Sequence, residues 1–251
     1  MSLHRLLILS VLVGAAWTAE PVSAPASKPI ASQVPAAVRA ATPVAKPEAK
    51  WMQHHGWLVE RAQKSNVTIA FFGDSITHYW TEYGKEAWTQ QLVPQGAADF
   101  GIGGDKVEHI LWRMTNGELE GMRPKVVVLM AGTNNLWDYE LKPKDIVAGI
   151  VACLATIRER QPQAKILLMG VIPQGRKPDG QMRPKVTGIN ALLAALPAHS
   201  YDAFIDLGPK LLAPDGVLPE LISADQTHLT KDGYAIWLGE MEPVLKGLLK
   251  P

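Results

Sequence analysis

Residues Val67 to Thr77 read VTIAFFGDSIT, and this stretch decides the fold. Val67 to Phe72 is a continuous apolar run rich in β-branched and aromatic side chains, which is typical of a strand buried on both faces. Gly73 permits a sharp turn after the strand, and Asp74 is a preferred N-cap residue of helices. The pattern therefore predicts a strand, a turn and a helix, with Ser75 in the first turn of that helix.

Ser75 is a candidate nucleophile because of where this turn would place it. Sheets of α/β proteins bind their ligands at the carboxyl ends of parallel strands. The start of the following helix offers unpaired backbone N–H groups and the positive end of a dipole, which favour an anion forming on a substrate. Gly, Asp and Ser also dominate ordinary turns, so the tripeptide taken alone favours plain turn chemistry.

Composition limits the classes of protein to consider. The chain has 251 residues, of which 47% are hydrophobic and 20% charged, and this suits one globular domain of about 200 residues. Lys and Arg total 25 and Asp and Glu total 24, so no excess of charge favours nucleic acid as a partner. Cys153 is the only cysteine. It excludes an intramolecular disulfide, and its place in a predicted helix favours a core role.

The first 19 residues have the features of a secretory signal peptide. Arg5 precedes an apolar run from Leu6 to Ala16. Signal cores have about 7–15 residues, whereas a membrane-spanning helix needs about 20. We therefore expect export to the periplasm or the medium, with no integral membrane segment after signal removal. An uncleaved anchor is the alternative.

Residues 20–50 are rich in Ala and Pro and contain no aromatic side chain. Such a segment cannot bury enough apolar surface to fold, so we expect a disordered linker there. The domain would then comprise residues 51–251, beginning with a helix from Trp51 to Lys64 that covers one side of the core.

Short apolar runs alternate with helical patterns through the rest of the chain. The further predicted strands are Ala97–Phe100, Lys125–Met130, Lys165–Met169 and Ala203–Asp206. The longest predicted helices are Pro143–Gln161 and Lys231–Leu249. Strands that alternate with helices predict a five-stranded parallel sheet covered on both faces.

Four of the loops that follow predicted strands carry unusual polar residues. In a parallel sheet these loops emerge at the same edge, so residues distant in sequence can converge. Serine is a weak nucleophile that needs a base, which His228 can supply, and Asp225 can hold the other ring nitrogen. The N–H groups of Ser75 and Gly104 and the amide of Asn134 can stabilise an oxyanion.

His78 is the competing candidate for the base, because it lies three residues after Ser75, about one helical turn away. His228 is favoured since Asp225 accompanies it. The adjacent His54 and His55 point in different directions on a helix, and no acid or cysteine frames them, so we expect no metal site.

These blocks, namely Gly73-Asp74-Ser75, the loop at Gly104, Gly132-x-Asn134 and Asp225-x-x-His228, resemble in order and spacing those of the SGNH (GDSL-type) hydrolases. Two stretches, FGIGGDKVEHILWRMTNGELEG and RQPQAKILLMG, are similar to the catalytic subunits of intracellular platelet-activating-factor acetylhydrolase. Asn135 stands where many members carry aspartate, a feature shared with the acetylhydrolase branch. The Pro-rich N-terminal segment does not resemble that intracellular branch.

The resemblance implies a flavodoxin-like three-layer αβα sandwich. It also implies a catalytic triad of Ser75, Asp225 and His228, and an oxyanion hole of Ser75, Gly104 and Asn134. No metal or cofactor is implied.

We therefore expect an exported serine esterase that removes short acyl groups, acetyl foremost, from a small-molecule or glycan ester. Trp80 and Trp137 follow the loops of Ser75 and Asn134 and could stack on a sugar ring, or they could close the top of the core. Two alternatives are a phospholipid or lipid acyl hydrolase and a non-catalytic carbohydrate or cell-wall binding module on the same fold.

Overall fold

A computed structural model describes residues 35–64 and 66–250. The predicted signal peptide at 1–19, and the predicted linker as far as residue 34, lie outside the described residues. No helix in the described part of the chain is long and apolar enough to span a bilayer.

The sheet has five strands, all parallel, in the order β2-β1-β3-β4-β5. The strands are β1 (Ile69–Gly73), β2 (Ala97–Gly101), β3 (Val126–Leu129), β4 (Lys165–Met169) and β5 (Ala203–Ile205). Each begins and ends within two residues of its predicted bounds, because short β-branched and apolar runs bounded by turn residues are strong strand signals. The predicted five-stranded parallel sheet is confirmed.

Helices cover both faces of the sheet. They are α1 (Ala36–Ala40), α2 (Ala49–Gln63), α3 (Ser75–His78), α4 (Lys85–Ala87), α5 (Val107–Arg113), α6 (Pro143–Arg160), α7 (Arg183–Ala194), α8 (Gly208–Leu211) and α9 (Lys231–Leu248). Side chains from α2, α5, α6 and α7 join one core, and those from α8 and α9 join the other. The three-layer sandwich expected from the family resemblance is confirmed.

Strand β1 shows why the sheet needs a core on each side. Ala70 and Phe72 pack into the first core, whereas Ile69 and Phe71 pack into the second, and all four are fully buried. Successive side chains of a strand point to opposite faces, so an unbroken apolar run suits a strand covered twice.

The chain is ordered before residue 51, contrary to the linker prediction. Helix α1 ends at Ala40, which is buried against Gly149 of α6. Arg39 contacts Asp138 and Glu140. The expectation of disorder is therefore corrected for residues 36–50. Alanine has little surface to bury, but its small side chain allows two backbones to approach closely, and composition does not reveal that.

Candidate active site

The turn after β1 presents Ser75 at the carboxyl edge of the sheet. A Cβ at Gly73 would lie 2.0 Å from Oγ1 of Thr77, so only glycine fits where β1 meets α3. Asp74 caps α3, because its Oδ1 accepts a hydrogen bond of 2.9 Å from the N–H of Ile76. Ser75 is thereby held at the first position of the helix.

Asp74 is fully buried, and its role in the turn matches the predicted cap. Burial raises the pKa of Asp74 to about 6, although the hydrogen bond from Ile76 acts in the opposite direction. The carboxylate that contacts the candidate base comes from another loop.

Ser75, His228 and Asp225 form a continuous chain of hydrogen bonds. Oγ of Ser75 lies 2.9 Å from Nε2 of His228, and Nδ1 of the same ring lies 2.6 Å from Oδ2 of Asp225. With the proton on Nδ1, the ring donates to Asp225 and leaves Nε2 as acceptor for the serine hydroxyl. This arrangement allows the ring to take a proton from Ser75 when the oxygen attacks an electrophile.

Asp225 also organises its own turn. Its Oδ1 accepts hydrogen bonds from the backbone N–H groups of Thr227 at 2.9 Å and His228 at 2.7 Å. Burial alone would raise the pKa of Asp225, but the bonds from His228 and Thr227 outweigh burial and lower that pKa below its ordinary value. Asp225 is therefore ionised at neutral pH and can accept the Nδ1–H of His228.

The structure brings the predicted oxyanion donors to the same edge as Ser75. A Cβ on Gly103 would lie 3.9 Å from Cβ of Ser75, so the glycine turn after β2 is next to the serine. Gly104 has a φ of +74°, a conformation that favours glycine. Asn134 donates a hydrogen bond of 2.9 Å from Nδ2 to the carbonyl of Asp105, and the amide nitrogen carries a second hydrogen.

Helix α3 comprises only four residues. A helix of one turn has few aligned peptide dipoles. The argument from a helix dipole at Ser75 is therefore weak, and the glycine turn and Asn134 become the more important donors.

The two tryptophans predicted near the site have different environments. Trp80 is fully buried among Phe71, Trp88 and Tyr234, so the prediction of substrate contact is corrected for this residue. Its large apolar ring is more stable in the core than at the mouth of a cleft. Trp137 is 55% exposed.

Trp137 lines a cavity of about 290 Å³ that also includes Asp225. The other lining residues are Gln174, Gly175, Gly180, Gln181, Met182, Gln226 and Thr227. A second cavity, of about 480 Å³, lies beside His228 and Tyr83. Open space therefore exists on two sides of the Asp225–His228 loop.

The remaining histidines have other partners. Nε2 of His78 lies 3.7 Å from Oε1 of Glu82. The structure places His228, not His78, against the hydroxyl of Ser75. His55 bonds Glu118 at 2.8 Å in the interior. Within residues 35–64 and 66–250, no cluster of three or more His, Cys, Asp or Glu side chains could hold a metal ion.

Arg176 is a residue of the site that the sequence did not reveal. Its guanidinium donates to the carbonyls of Leu218, Ser223 and Ala224 at 2.6, 3.0 and 3.0 Å. The segment that it holds leads directly into Asp225. The sequence predicts only a polar loop around Arg176, and no local signal identifies the distant carbonyls that it binds.

A buried ionic cluster lies beneath the site. Arg113 is fully buried, donates to Oδ2 of Asp105 at 2.8 Å and bonds Glu118. The same guanidinium donates to the carbonyl of Gly73 at 3.1 Å and to the carbonyl of Phe100 at 2.9 Å, so it connects the ends of β1 and β2.

Comparisons with known proteins show the family to which the chain belongs. The model of the GDSL-like lipase/acylhydrolase family matches residues 71–236. The alpha2 subunit of platelet-activating factor acetylhydrolase IB from Rattus norvegicus is 37% identical over 187 residues, which cover 74% of this chain and 79% of the subunit.

Two solved structures share the fold. A GDSL-like lipase from Bacteroides thetaiotaomicron VPI-5482 superposes with a TM-score of 0.63 at 19% identity, covering 79% of this chain and 96% of that one. The acetyl xylan esterase AlAXEase superposes with a TM-score of 0.58 at 23% identity, covering 70% and 98%.

Proposed function

The chain belongs to the GDSL-like lipase/acylhydrolase family and is a carboxylic ester hydrolase, and on this basis we propose that it removes acetyl and other short acyl groups through an acyl-enzyme on Ser75. In this proposal Ser75 attacks the ester carbonyl while His228 takes its proton, and Asp225 orients the ring. His228 then protonates the leaving alcohol, and water releases the acyl group by the reverse sequence.

The chain of hydrogen bonds from Ser75 through His228 to Asp225 is the observation that carries the proposal. A protein that only binds ligands has no need for a nucleophile aligned with a base and a carboxylate. The tetrahedral oxyanion would accept hydrogen bonds from the N–H groups of Ser75 and Gly104 and from the amide of Asn134.

The names of two similar proteins support a short acyl group. The rat relative is an acetylhydrolase, and one protein of the same fold is an acetyl xylan esterase. Trp137 adds an argument for a glycan ester, because an exposed indole beside Asp225 offers a flat face on which a sugar ring can stack. We propose an acetylated carbohydrate as the substrate class.

A lipid or phospholipid ester is the second candidate substrate. It is supported by the 37% identity to a subunit of platelet-activating factor acetylhydrolase. Turnover that rises steeply with the length of the acyl chain would favour this candidate over an acetylated carbohydrate.

We further propose that the protein is exported. The support is the basic start and apolar run within residues 1–19. Expression with and without this segment, followed by fractionation, tests export: the full chain should be shortened and leave the cytoplasm, and the truncated chain should stay inside.

The function is tested with Ser75→Ala and with Ser200→Ala, a partly exposed serine outside the proposed site, as the matched control. Against p-nitrophenyl acetate, Ser75→Ala should lose about 10³-fold or more in kcat, and the control should keep most of its activity. A fluorophosphonate should label Ser75 in the unmodified protein. Absence of an adduct, with no turnover of acetylated xylan, acetylated sugars or short lipid esters, would favour a non-catalytic binding module.

A further inference from the structure

Asp105, which directly follows Gly104, connects the oxyanion loop to three other parts of the chain. Its side chain is fully buried. Oδ1 accepts a hydrogen bond of 2.8 Å from Nε1 of Trp51, and Oδ2 accepts one of 2.8 Å from Nε of Arg113. The backbone carbonyl of Asp105 accepts the bond from Asn134. Asp105 is therefore linked directly to both Gly104 and Asn134.

Lys46 supplies the remaining partner of this carboxylate. Its Nζ lies 3.0 Å from Oδ1 of Asp105 and 3.5 Å from the carbonyl oxygen of Gly103. A Cβ built on Gly104 would lie 3.4 Å from the same ammonium. The side chain of Lys46 is only 17% exposed, so the ammonium is held against the glycine turn and does not extend into solvent.

We propose that Lys46, which precedes the region matched by the family model, is a positioning residue for the oxyanion hole. It holds the Gly103–Asp105 loop through Asp105 and neutralises that carboxylate. The proposal rests on the function proposed above, in which Gly104 and Asn134 bind the oxyanion.

The charges beneath the loop explain why a cation is needed at this point. Asp105 and Glu118 are buried carboxylates, and Arg113 lies between them and pairs with both. Arg113 supplies one permanent positive charge to these two carboxylates, and Lys46 supplies the second. Without Lys46 a negative charge next to Gly104 would remain uncompensated, and it would repel the negative charge that develops on the substrate oxygen.

The segment that carries Lys46 is anchored independently of that lysine. The N–H of Val44 donates to the carbonyl of Glu108 at 3.1 Å, and Trp51 begins the buried face of α2. A substitution at Lys46 therefore leaves the segment in place while removing the ammonium. Its effect should be on the site and not on the fold.

The test compares Lys46→Met and Lys46→Arg with Lys50→Met, which makes the same change at an exposed lysine four residues later. With p-nitrophenyl acetate we expect Lys46→Met to lose about tenfold in kcat with KM within about twofold, because donors aimed at the transition state are displaced. Lys46→Arg should recover most of the loss, and Lys50→Met should match the unmodified protein.

Binding of 1,1,1-trifluoroacetone provides a readout that a purely structural role would not change. Addition of Ser75 to this ketone, with the serine proton passing to His228, creates the same kind of oxyanion as the ester reaction. Its inhibition constant should rise for Lys46→Met by about the factor by which kcat/KM falls.

An unchanged kcat in folded Lys46→Met overturns the proposal, as does a loss confined to KM with unchanged binding of the ketone. If Lys46→Met does not fold, Lys46→Gln replaces it, because the glutamine amide keeps a hydrogen-bond donor and lacks the charge. The same two outcomes, measured on Lys46→Gln, would overturn the proposal. Failure of the proposed function looks different: whatever Lys46 does, either the unmodified protein would show no turnover or Ser75→Ala would retain activity.

Discussion

Nδ1 of His228 lies 2.6 Å from Oδ2 of Asp225, although the two residues are only three positions apart in the chain. The side chain of Asp225 is 56% exposed, so solvent competes for the carboxylate. The pair is preserved by the turn itself, because the other carboxylate oxygen binds the backbone N–H groups of Thr227 and His228. A local turn therefore orients the imidazole without burying the acid.

Asp225→Asn tests the contribution of this carboxylate. The asparagine keeps an acceptor for the turn, but its NH₂ can donate to Nδ1 and favour the wrong tautomer of His228. We expect kcat for p-nitrophenyl acetate to fall about 10²-fold or more, with little change in melting temperature. Asp232→Asn, an exposed change nearby, is the control. Turnover within threefold of the unmodified enzyme would show that Asp225 has no such role.

Arg176→Met should release the segment that leads into Asp225. Two partly buried carbonyls and one exposed carbonyl lose a charged donor, at a cost of about 1–3 kcal/mol in unfolding free energy. We expect kcat to fall about tenfold as His228 loses its alignment. Arg176→Lys should rescue little, because an ammonium lacks the planar fork.

The comparison for Arg176 is Arg123→Met, which removes an arginine from an exposed position. Urea denaturation and steady-state kinetics measure the two effects separately. Equal kinetics for the two variants would contradict a role for Arg176 in positioning the loop.

Trp80 and Trp137 should give opposite results when each is replaced by alanine. Trp80→Ala opens a cavity in the core and should lower the unfolding free energy by about 3–5 kcal/mol. Trp137→Ala removes an exposed ring, so stability should change by no more than about 0.5 kcal/mol. If the ring stacks on the substrate, KM for an acetylated xylo-oligosaccharide should rise more than KM for p-nitrophenyl acetate. A parallel change in both would contradict stacking.

The buried carboxyl group of Asp99 in β2 should make the stability of the protein depend on pH. Its Oδ1 accepts the N–H of Gly101 at 2.7 Å, and burial raises the pKa of Asp99 to about 8. The folded protein then binds a proton that the unfolded chain, with an ordinary aspartate pKa near 3.8, releases. The contribution of Asp99 to the unfolding free energy should therefore fall as pH rises from about 4 through about 8.

Asp99→Asn removes the titratable group but keeps a side-chain oxygen that can accept the N–H of Gly101. Relative to the unmodified protein, the variant should gain about 2 kcal/mol of stability between pH 6 and pH 8. Urea denaturation at the two pH values measures the gain, with Asp232→Asn as control. The same difference at both pH values would show that Asp99 is already ionised at pH 6.

Most of the architecture was predictable because its signals are local. The run from Ile69 to Phe72 is apolar at every position. Gly73 and Asp74, which follow it, favour a turn and a helix N-cap. Helix α2 buries Trp51, His55, Leu58 and Ala62, the residues that helical periodicity places on one face. Periodicity and turn chemistry act over a few residues, so they are visible in a sequence without its fold.

The errors all concern contacts across the fold. Trp80 follows the nucleophile loop in sequence but packs into the core. Residues 36–50 have the composition of a spacer, yet Ala40 is buried and Lys46 reaches the oxyanion loop. Neither outcome has a local signature, because each depends on which distant surface lies opposite.

The sequence by itself determined where the strands lie along the chain and which residue types lie at the carboxyl edge of the sheet. Those follow from apolar periodicity and from the chemistry that Ser75, Asn134 and His228 can perform. The sequence favoured His228 over His78 as the base, because Asp225 accompanies His228, and the structure shows the contact with Ser75. The tertiary structure alone decided that Arg176, Arg113 and Lys46 surround the site. Long cationic side chains bind partners that are distant in sequence, and the packing of the whole fold determines which of those partners lie within reach.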